Sequence, residues 1–192
     1  MGVPTVNTGP MTVDEFYAFT DTRPDEEKWE LIEGEPVLHA SPSGTHHLII
    51  ANLIFVLGAN ERAAVAPWRA MPGIGVRVSD TKRPEPDVMV VPKMSSHVDF
   101  SSRDHQDLIV AFEVLSPSTA DRDLRWKRAA YTSMPSLTHY VVVAQDAVEV
   151  VVFARDASFA EQRLRSLDDA IEFPALGVIL PLAEIYRDTG LA

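Results

Sequence analysis

Two acidic residues stand where a carboxylate is unusual. Asp87 begins a predicted β-strand directly after a proline, and Glu113 lies inside residues 108–115, the most apolar predicted strand of the chain. An ionised carboxylate in such a strand is costly unless another charge neutralises it. A divalent cation is one such charge, because Mg²⁺ is typically held by one or two carboxylates with waters and substrate phosphate oxygens. The structural alternatives are a turn residue for Asp87 and a buried ion pair with an arginine for Glu113.

Lys127 is a second candidate partner for Glu113. It lies on a predicted helix, residues 121–131, four residues after Asp123 and four before Tyr131, so the three side chains share one helix face. The long stem of Lys127 would bring its ammonium group back toward the carboxylates. A plain surface ion pair with Asp123 is the alternative for this lysine.

Sequence motifs of several other enzyme classes are absent. The chain has no G-x-x-x-x-G-K-[ST] phosphate loop, no G-x-S-x-G nucleophile elbow and no H-E-x-x-H zinc helix. His46 and His47 are adjacent, and neighbours on a helix point about 100° apart, so they would not chelate one ion together. The absence of cysteine excludes disulfides and thiol catalysis.

Length and charge limit the class of protein. At 192 residues, 46% hydrophobic and 23% charged, the chain matches one compact globular domain. The net charge of −11 excludes a uniformly basic nucleic-acid-coating protein, and only in residues 62–128 do bases outnumber acids. The longest apolar run, residues 48–58, is about half of the ~20 residues that a membrane crossing needs. We therefore expect a cytoplasmic protein that does not associate with membranes.

The pattern of apolar residues predicts a flexible tail at residues 1–10 and one α/β (α+β) domain over residues 11–192, with a central mixed β-sheet flanked by helices. The predicted helices are 13–19, 45–62, 121–131 and 182–186. The predicted strands are 29–32 and 36–38 in a hairpin, then 68–71, 74–78, 88–91, 108–115, 139–144, 148–153 and 162–166.

Six short motifs follow one another along residues 11–152. They are Trp29-Glu30-Leu-Ile-Glu-Gly-Glu35, Ser41-Pro42-Ser43 with His46, Pro86-Asp87-Val88, Glu113-Val-Leu-Ser-Pro-Ser-Thr119, Asp123-x-x-x-Lys127-x-x-x-Tyr131 and His139-Tyr140-Val-Val-Val143. Their order resembles the Uma-type putative restriction endonucleases of the PD-(D/E)XK nuclease superfamily. The superfamily's simplest pattern has a lysine two residues after the glutamate, where this chain has Leu115. In the Uma-type pattern the lysine is displaced to the next helix, which implies Lys127.

The resemblance implies a restriction-endonuclease-like single domain that hydrolyses DNA phosphodiester bonds with Mg²⁺ or Mn²⁺. Asp87 and Glu113 would bind the ion, and Lys127 would position the attacking water and offset charge in the transition state. Glu30 would complete the metal shell and His46 would contact phosphate or water. The accessory residues are Glu30, His46, Asp123 and Tyr131.

Two other functions stay open at this stage. The acidic net charge and the displaced lysine are compatible with a catalytically inactive interaction module, and a weakly basic site is compatible with hydrolysis of a smaller phosphodiester. The predicted strand at residues 148–153 and the edge of the hairpin would be free to pair with a second copy, so a homodimer is a further prediction.

Overall fold

A six-stranded mixed β-sheet forms the centre of the computed structural model, which describes residues 9–93, 103–115 and 122–191. All neighbouring strands of this sheet are antiparallel except one pair, Val110–Leu115 with His139–Ala144, which is parallel. In order across the sheet, the strands are β10 (Glu161–Leu164), β9 (Val150–Ala154), β8 (His139–Ala144), β7 (Val110–Leu115), β5 (Val88–Pro92) and β3 (Trp68–Pro72).

Smaller elements surround this sheet. Within the described residues they include three two-stranded pairs, β1 (Trp29–Ile32) with β2 (Glu35–Leu38), β4 (Gly75–Val76) with β6 (Asp104–His105), and β11 (Ala170–Phe173) with β12 (Val178–Pro181). The helices are α1 (Val13–Thr20), α2 (Gly44–Ala63), a π-helix (Arg122–Lys127) that continues as α3 (Arg128–Thr132), and α4 (Leu182–Ile185).

The two faces of the central sheet pack against different helices. Phe112 and Val114 of β7 belong to the apolar cluster under α2, whereas Ala111 belongs to the opposite cluster with Tyr131 and Tyr140. Because side chains alternate along a strand, Glu113 faces the same side as Ala111, toward α3. Parallel strands need a crossover connection, and the π-helix and α3 lie in the connection between β7 and β8. This topology returns a helix to the face that carries Glu113.

Side-chain caps set where the first two helices begin. Thr12 and Glu15 form a reciprocal capping box at α1, as the sequence spacing predicts. At α2, Ser43 Oγ accepts a hydrogen bond from the His46 backbone N–H at 3.1 Å. The second cap places His46 in the first turn of α2.

Most predicted elements are present, with three differences. Residues 122–127 form a π-helix where an α-helix is predicted, and β4 occupies only two residues of the predicted strand at 74–78. β9 is bonded to β8 on one side and to β10 on the other, so it is not an edge that a second copy could extend. The other surface expected for a homodimer, the edge of the β1–β2 hairpin, stays a prediction. The short strands β6, β11 and β12 are not predicted from the sequence.

Some sequence expectations lie outside the described residues. They include the predicted tail up to residue 8, the Ser-Pro-Ser-Thr segment at residues 116–119 and the first residue of the predicted helix at 121. Within the described part of the chain, no helix is long and apolar enough to cross a membrane.

Gly73 allows β3 and the start of β5 to approach closely. Its backbone N–H donates to the Asp87 carbonyl oxygen at 3.1 Å, and a Cβ built on it would meet the Pro86 carbonyl oxygen at 1.5 Å. We expect Gly73→Ala to lower the free energy of unfolding by about 1–3 kcal/mol, because the backbone next to Asp87 must shift. Chemical denaturation measures this change.

Gly58 in α2 provides the control for this substitution. A Cβ there meets nothing closer than the flexible end of Arg62 at 3.8 Å. We expect Gly58→Ala to raise the free energy of unfolding by about 0.5–1 kcal/mol, the usual gain of alanine over glycine inside a helix. If Gly73→Ala and Gly58→Ala had the same free energy of unfolding, Gly73 would not lie close to the Pro86 carbonyl oxygen.

Candidate active site

Asp87 and Glu113 lie side by side on neighbouring strands. Val88 pairs with Phe112 in the antiparallel β5–β7 register, and one more step of that register places Asp87 opposite Glu113. Opposed residues of an antiparallel pair project from the same face of the sheet. The Asp87 N–H donates to the Phe112 carbonyl oxygen at 3.0 Å, and the Val114 N–H donates to Asp87 Oδ2 at 2.8 Å. These bonds fix both the backbone and the carboxylate of Asp87.

Both carboxylates open on one cavity of about 220 Å³. Its floor is built from the ends of β5 and β7 and from the π-helix, and its rim from the segment before α2. The lining residues are Lys28, His39, Ala40, Ser41, Pro42, Ser43, His46, Asp87, Glu113, Val114, Asp123, Lys127 and Gln145. The structure therefore gathers into one concave site the Ser-Pro-Ser segment, the aspartate, the glutamate and the helix lysine, which are far apart in sequence.

Lys127 is almost fully buried beneath this cavity, with 1% of its surface exposed. Its Nζ lies 2.8 Å from Glu30 Oε1, 2.9 Å from Glu113 Oε1 and 3.6 Å from Asp123 Oδ1. The π-helix that carries Lys127 is a rare conformation that occurs often at functional sites. Sequence spacing placed Lys127 and Asp123 on one face correctly, although the helix type differs from the prediction.

Two buried tyrosines hold the same cluster in place. The Tyr131 hydroxyl donates to Glu113 Oε1 at 3.1 Å, and the Tyr140 hydroxyl donates to the Asp123 carbonyl oxygen at 2.8 Å. Their rings contact each other with centroids 5.3 Å apart. Tyr131 thus orients Glu113 directly, whereas Tyr140 anchors the π-helix.

Glu30 of β1 lies on the far side of Lys127 and does not line the cavity. Its Oε1 accepts the Glu85 N–H at 2.7 Å as well as Lys127, and its Oε2 lies 2.6 Å from His39 Nε2. Because both oxygens are engaged by protein groups, we expect Glu30 to hold Lys127 in place and not to complete a metal shell.

Asp87 has two cationic or polar neighbours besides the backbone. His46 Nε2 lies 3.3 Å from Asp87 Oδ2, and Lys28 Nζ lies 3.6 Å from Asp87 Oδ1. Burial alone would raise the pKa of Asp87, but the hydrogen bond from His46 and the charges of Lys28 and Lys127 lower it to about 2. Asp87 is therefore a carboxylate at neutral pH.

Glu113 has the opposite electrostatic balance. Burial raises the pKa of Glu113 well above its usual range; Lys127 opposes this rise, and the negative charges of Asp87, Asp123 and Glu30 add to it. Burial alone would lower the pKa of Lys127, but the carboxylates of Glu113, Glu30 and Asp123 raise it, so the lysine stays an ammonium ion. The ammonium group of Lys127 thus offsets the charge of several carboxylates. The charged groups around Glu113 remain more negative than positive in total.

The donor set suits an ion of the Mg²⁺ type. In the described parts of the chain, no group of three or more His, Cys, Asp or Glu side chains is arranged to hold a metal. Mg²⁺ does not require such a group, because one or two carboxylates suffice when waters and substrate oxygens fill the remaining positions. Asp87 and Glu113 supply two carboxylates of this kind on one cavity.

Comparison with known proteins identifies the family of the chain. A family model described as "Uma2: Putative restriction endonuclease" matches residues 13–183, a span that includes Asp87, Glu113 and Lys127. The chain belongs to this family. A search of curated proteins finds no match.

A solved structure shows the same fold. The crystal structure of a putative nuclease from Anabaena variabilis matches this Uma2 family chain with a TM-score of 0.76 and 17% sequence identity, covering 92% of this chain and 98% of that one. The family match therefore confirms the family predicted from the order of the motifs. The structural match confirms the restriction-endonuclease-like fold that this family implies.

Two titratable residues of the cavity, Lys28 and His39, are absent from the sequence-based set of candidates. Lys28 precedes Glu30 by two residues, and the period of a β-strand would have placed both on one face of β1. His39 follows the second strand of the same hairpin, and the β1–β2 register brings that end back beside Glu30. The alternation of side chains along the two hairpin strands could have identified both residues from the sequence.

The charge balance of the cluster predicts opposite effects for two variants in metal-free buffer. We expect Lys127→Met to lower the free energy of unfolding by about 3–5 kcal/mol, because it leaves buried carboxylates without their cation. We expect Glu113→Gln to leave stability unchanged or to raise it, because burial raises the pKa of Glu113 and folding therefore carries a cost for its ionised form. Urea denaturation with a chelator present measures both changes.

Lys82→Met is the matched control for the lysine. Lys82 also lies 2.9 Å from a glutamate, Glu33, but on the surface, where such a pair contributes about 1 kcal/mol or less. A loss for Lys127→Met no larger than that for Lys82→Met would contradict the proposed charge balance.

Proposed function

We propose that this protein is an endonuclease that hydrolyses DNA phosphodiester bonds with Mg²⁺ or Mn²⁺. One observation carries the proposal: Asp87 and Glu113 open side by side on a single cavity, with the ammonium group of Lys127 beneath them. Membership in a restriction endonuclease family and the nuclease-like fold support the same reaction class.

Two carboxylates of the chain would bind the ion, and other residues would hold those carboxylates in position. A divalent cation bound at Asp87 and Glu113 would supply polarisation of the phosphate and a lowered pKa for the attacking water. The Val114 N–H and His46 hold the Asp87 carboxylate, and Tyr131 and Lys127 hold that of Glu113, so that both carboxylates are fixed before substrate binds. Preorganised charge of this kind lowers the barrier because no reorganisation is needed during the reaction.

Lys127 would act as a fixed positive charge beneath the reacting phosphate. It is tied to Glu30 and Glu113 and remains protonated, so its role is to offset negative charge that develops in the transition state. His46 would support Asp87 through its contact with Oδ2. Asp123 lines the same cavity and lies beside Lys127.

The net charge of −11 favours a second candidate, hydrolysis of a smaller phosphodiester. A strongly acidic protein repels a long polyanion more than a short one. A substrate panel of plasmid, short duplex, single-stranded DNA, RNA and cyclic dinucleotides separates the candidates, because only the preferred class will be turned over at low enzyme concentration.

Cleavage assays test the proposal at the two carboxylates. We expect the wild-type protein to nick plasmid DNA with Mg²⁺ or Mn²⁺ and not with a chelator. Asp87→Asn and Glu113→Gln should each reduce the rate by on the order of 100-fold or more, because each removes a charge that the ion needs. Mn²⁺ should also raise the melting temperature of the wild type but not of these variants, since a ligand stabilises only the fold that binds it.

Glu61→Gln is the matched control. Glu61 is a buried carboxylate of α2 that pairs with Lys93 and lies outside the cavity, so this variant should keep the wild-type rate and the Mn²⁺ shift. Full cleavage by purified Glu113→Gln would contradict the assignment of Glu113 to the active site. The absence of any metal-dependent cleavage by the wild type would leave the interaction module as the better function.

A further inference from the structure

Lys28 places a second ammonium group at the cavity, and it differs from Lys127 in how tightly it is held. Lys127 Nζ lies within 3 Å of two carboxylate oxygens, and 2% of its side chain is exposed. Lys28 Nζ lies 3.6 Å from Asp87 Oδ1 and 3.7 Å from Glu85 Oε1, and 36% of its side chain is exposed. Both of the Lys28 distances exceed hydrogen-bond range. Lys28 therefore balances charge without being fixed.

The surroundings of Lys28 leave room for its side chain to move. It borders the 220 Å³ cavity that contains Asp87, and it also borders a neighbouring cavity of about 310 Å³ lined by Trp29, Glu85 and Arg103 among others. Glu85 is shared between two cations, because its Oε1 lies near Lys28 and its Oε2 lies 3.6 Å from Arg83 Nη1. The ammonium group can thus leave Asp87 without breaking a hydrogen bond, and two cavities border its side chain.

A divalent cation and Lys28 would compete for the same carboxylate. Asp87 Oδ2 is occupied by the Val114 N–H and by His46, so Oδ1 is the oxygen that Lys28 approaches and that remains for an ion. Two like charges cannot both lie close to one oxygen in a largely buried site without strong repulsion. An ion bound at Oδ1 would therefore displace the ammonium group from Asp87, and the partly exposed stem of Lys28 would carry it toward solvent.

We propose that Lys28 binds a substrate phosphate after a divalent cation has displaced it from Asp87. In the metal-free protein it neutralises Asp87; when a divalent cation binds, it moves to an unesterified oxygen of a substrate phosphate at the rim. The inference rests on the proposed function for the ion at Asp87 and Glu113, and it adds a substrate contact that the buried Lys127 cannot make. An ammonium group on a flexible stem suits a phosphate as a mobile point charge.

Replacing the ammonium group should change metal and substrate affinity in opposite directions. We expect Lys28→Met to bind Mn²⁺ about 3-fold or more tightly in calorimetry without DNA, because a competing charge is removed. The same variant should show a KM for DNA about 10-fold higher, with a smaller change in kcat, because a charged hydrogen bond to phosphate is lost. Lys28→Arg should restore most of the KM, since it keeps the charge.

Lys82→Met serves as the control, because Lys82 has a similar exposed fraction, 34%, and lies at neither cavity. It should match the wild type in Mn²⁺ affinity and in KM. If the wild type binds Mn²⁺ in a manner that requires Asp87, and Lys28→Met equals it in both quantities or binds Mn²⁺ more weakly, the role of Lys28 is wrong while the proposed function stands. If the wild type shows no Mn²⁺ binding that requires Asp87, the proposed function fails and this inference fails with it.

Discussion

A single buried ammonium group holds the site together. Lys127 lies between Glu30 of the N-terminal hairpin, Glu113 of the central sheet and Asp123 of its own helix, so three separate parts of the chain meet at one charge. A lysine at this depth is tolerated only because carboxylates surround it, and the carboxylates are tolerated only because the lysine is there. This mutual dependence fixes the hairpin and the helix relative to the sheet, and it leaves Glu113 with an excess of negative charge nearby.

The topology explains how that cluster comes to face Asp87. The parallel pair β7 and β8 requires a crossover, and the crossover carries Lys127 and Tyr131 onto the face of the sheet from which Glu113 projects. The antiparallel pair β5 and β7 then sets Asp87 opposite Glu113. The Val114 N–H and His46 hold the Asp87 carboxylate, and Tyr131 and Lys127 hold that of Glu113. The two pKa values differ because His46, Lys28 and Lys127 outweigh the burial of Asp87, whereas burial and the nearby carboxylates dominate at Glu113.

Much of this arrangement could be predicted from the sequence. Glu113 stood out because its strand is otherwise apolar, and Lys127 because it is spaced by four residues from both Asp123 and Tyr131. The role of Glu30 could not be predicted, since its contacts with Lys127, His39 and the Glu85 N–H depend on how the hairpin packs against the sheet. The π-helix escaped prediction because i,i+4 spacing does not distinguish it from an α-helix, and the neighbours of β9 depend on long-range pairing that local periodicity does not encode.

The proposed hydrolysis depends on a divalent ion shared by Asp87 and Glu113. A crystal soaked in Mn²⁺ and measured for anomalous scattering tests this most directly. We expect one strong peak in the cavity, about 2.1 Å from an oxygen of each carboxylate, the distance that small divalent ions keep from their oxygen ligands. A well-ordered crystal with no peak in the cavity, or with a peak that contacts neither acid, would contradict the account.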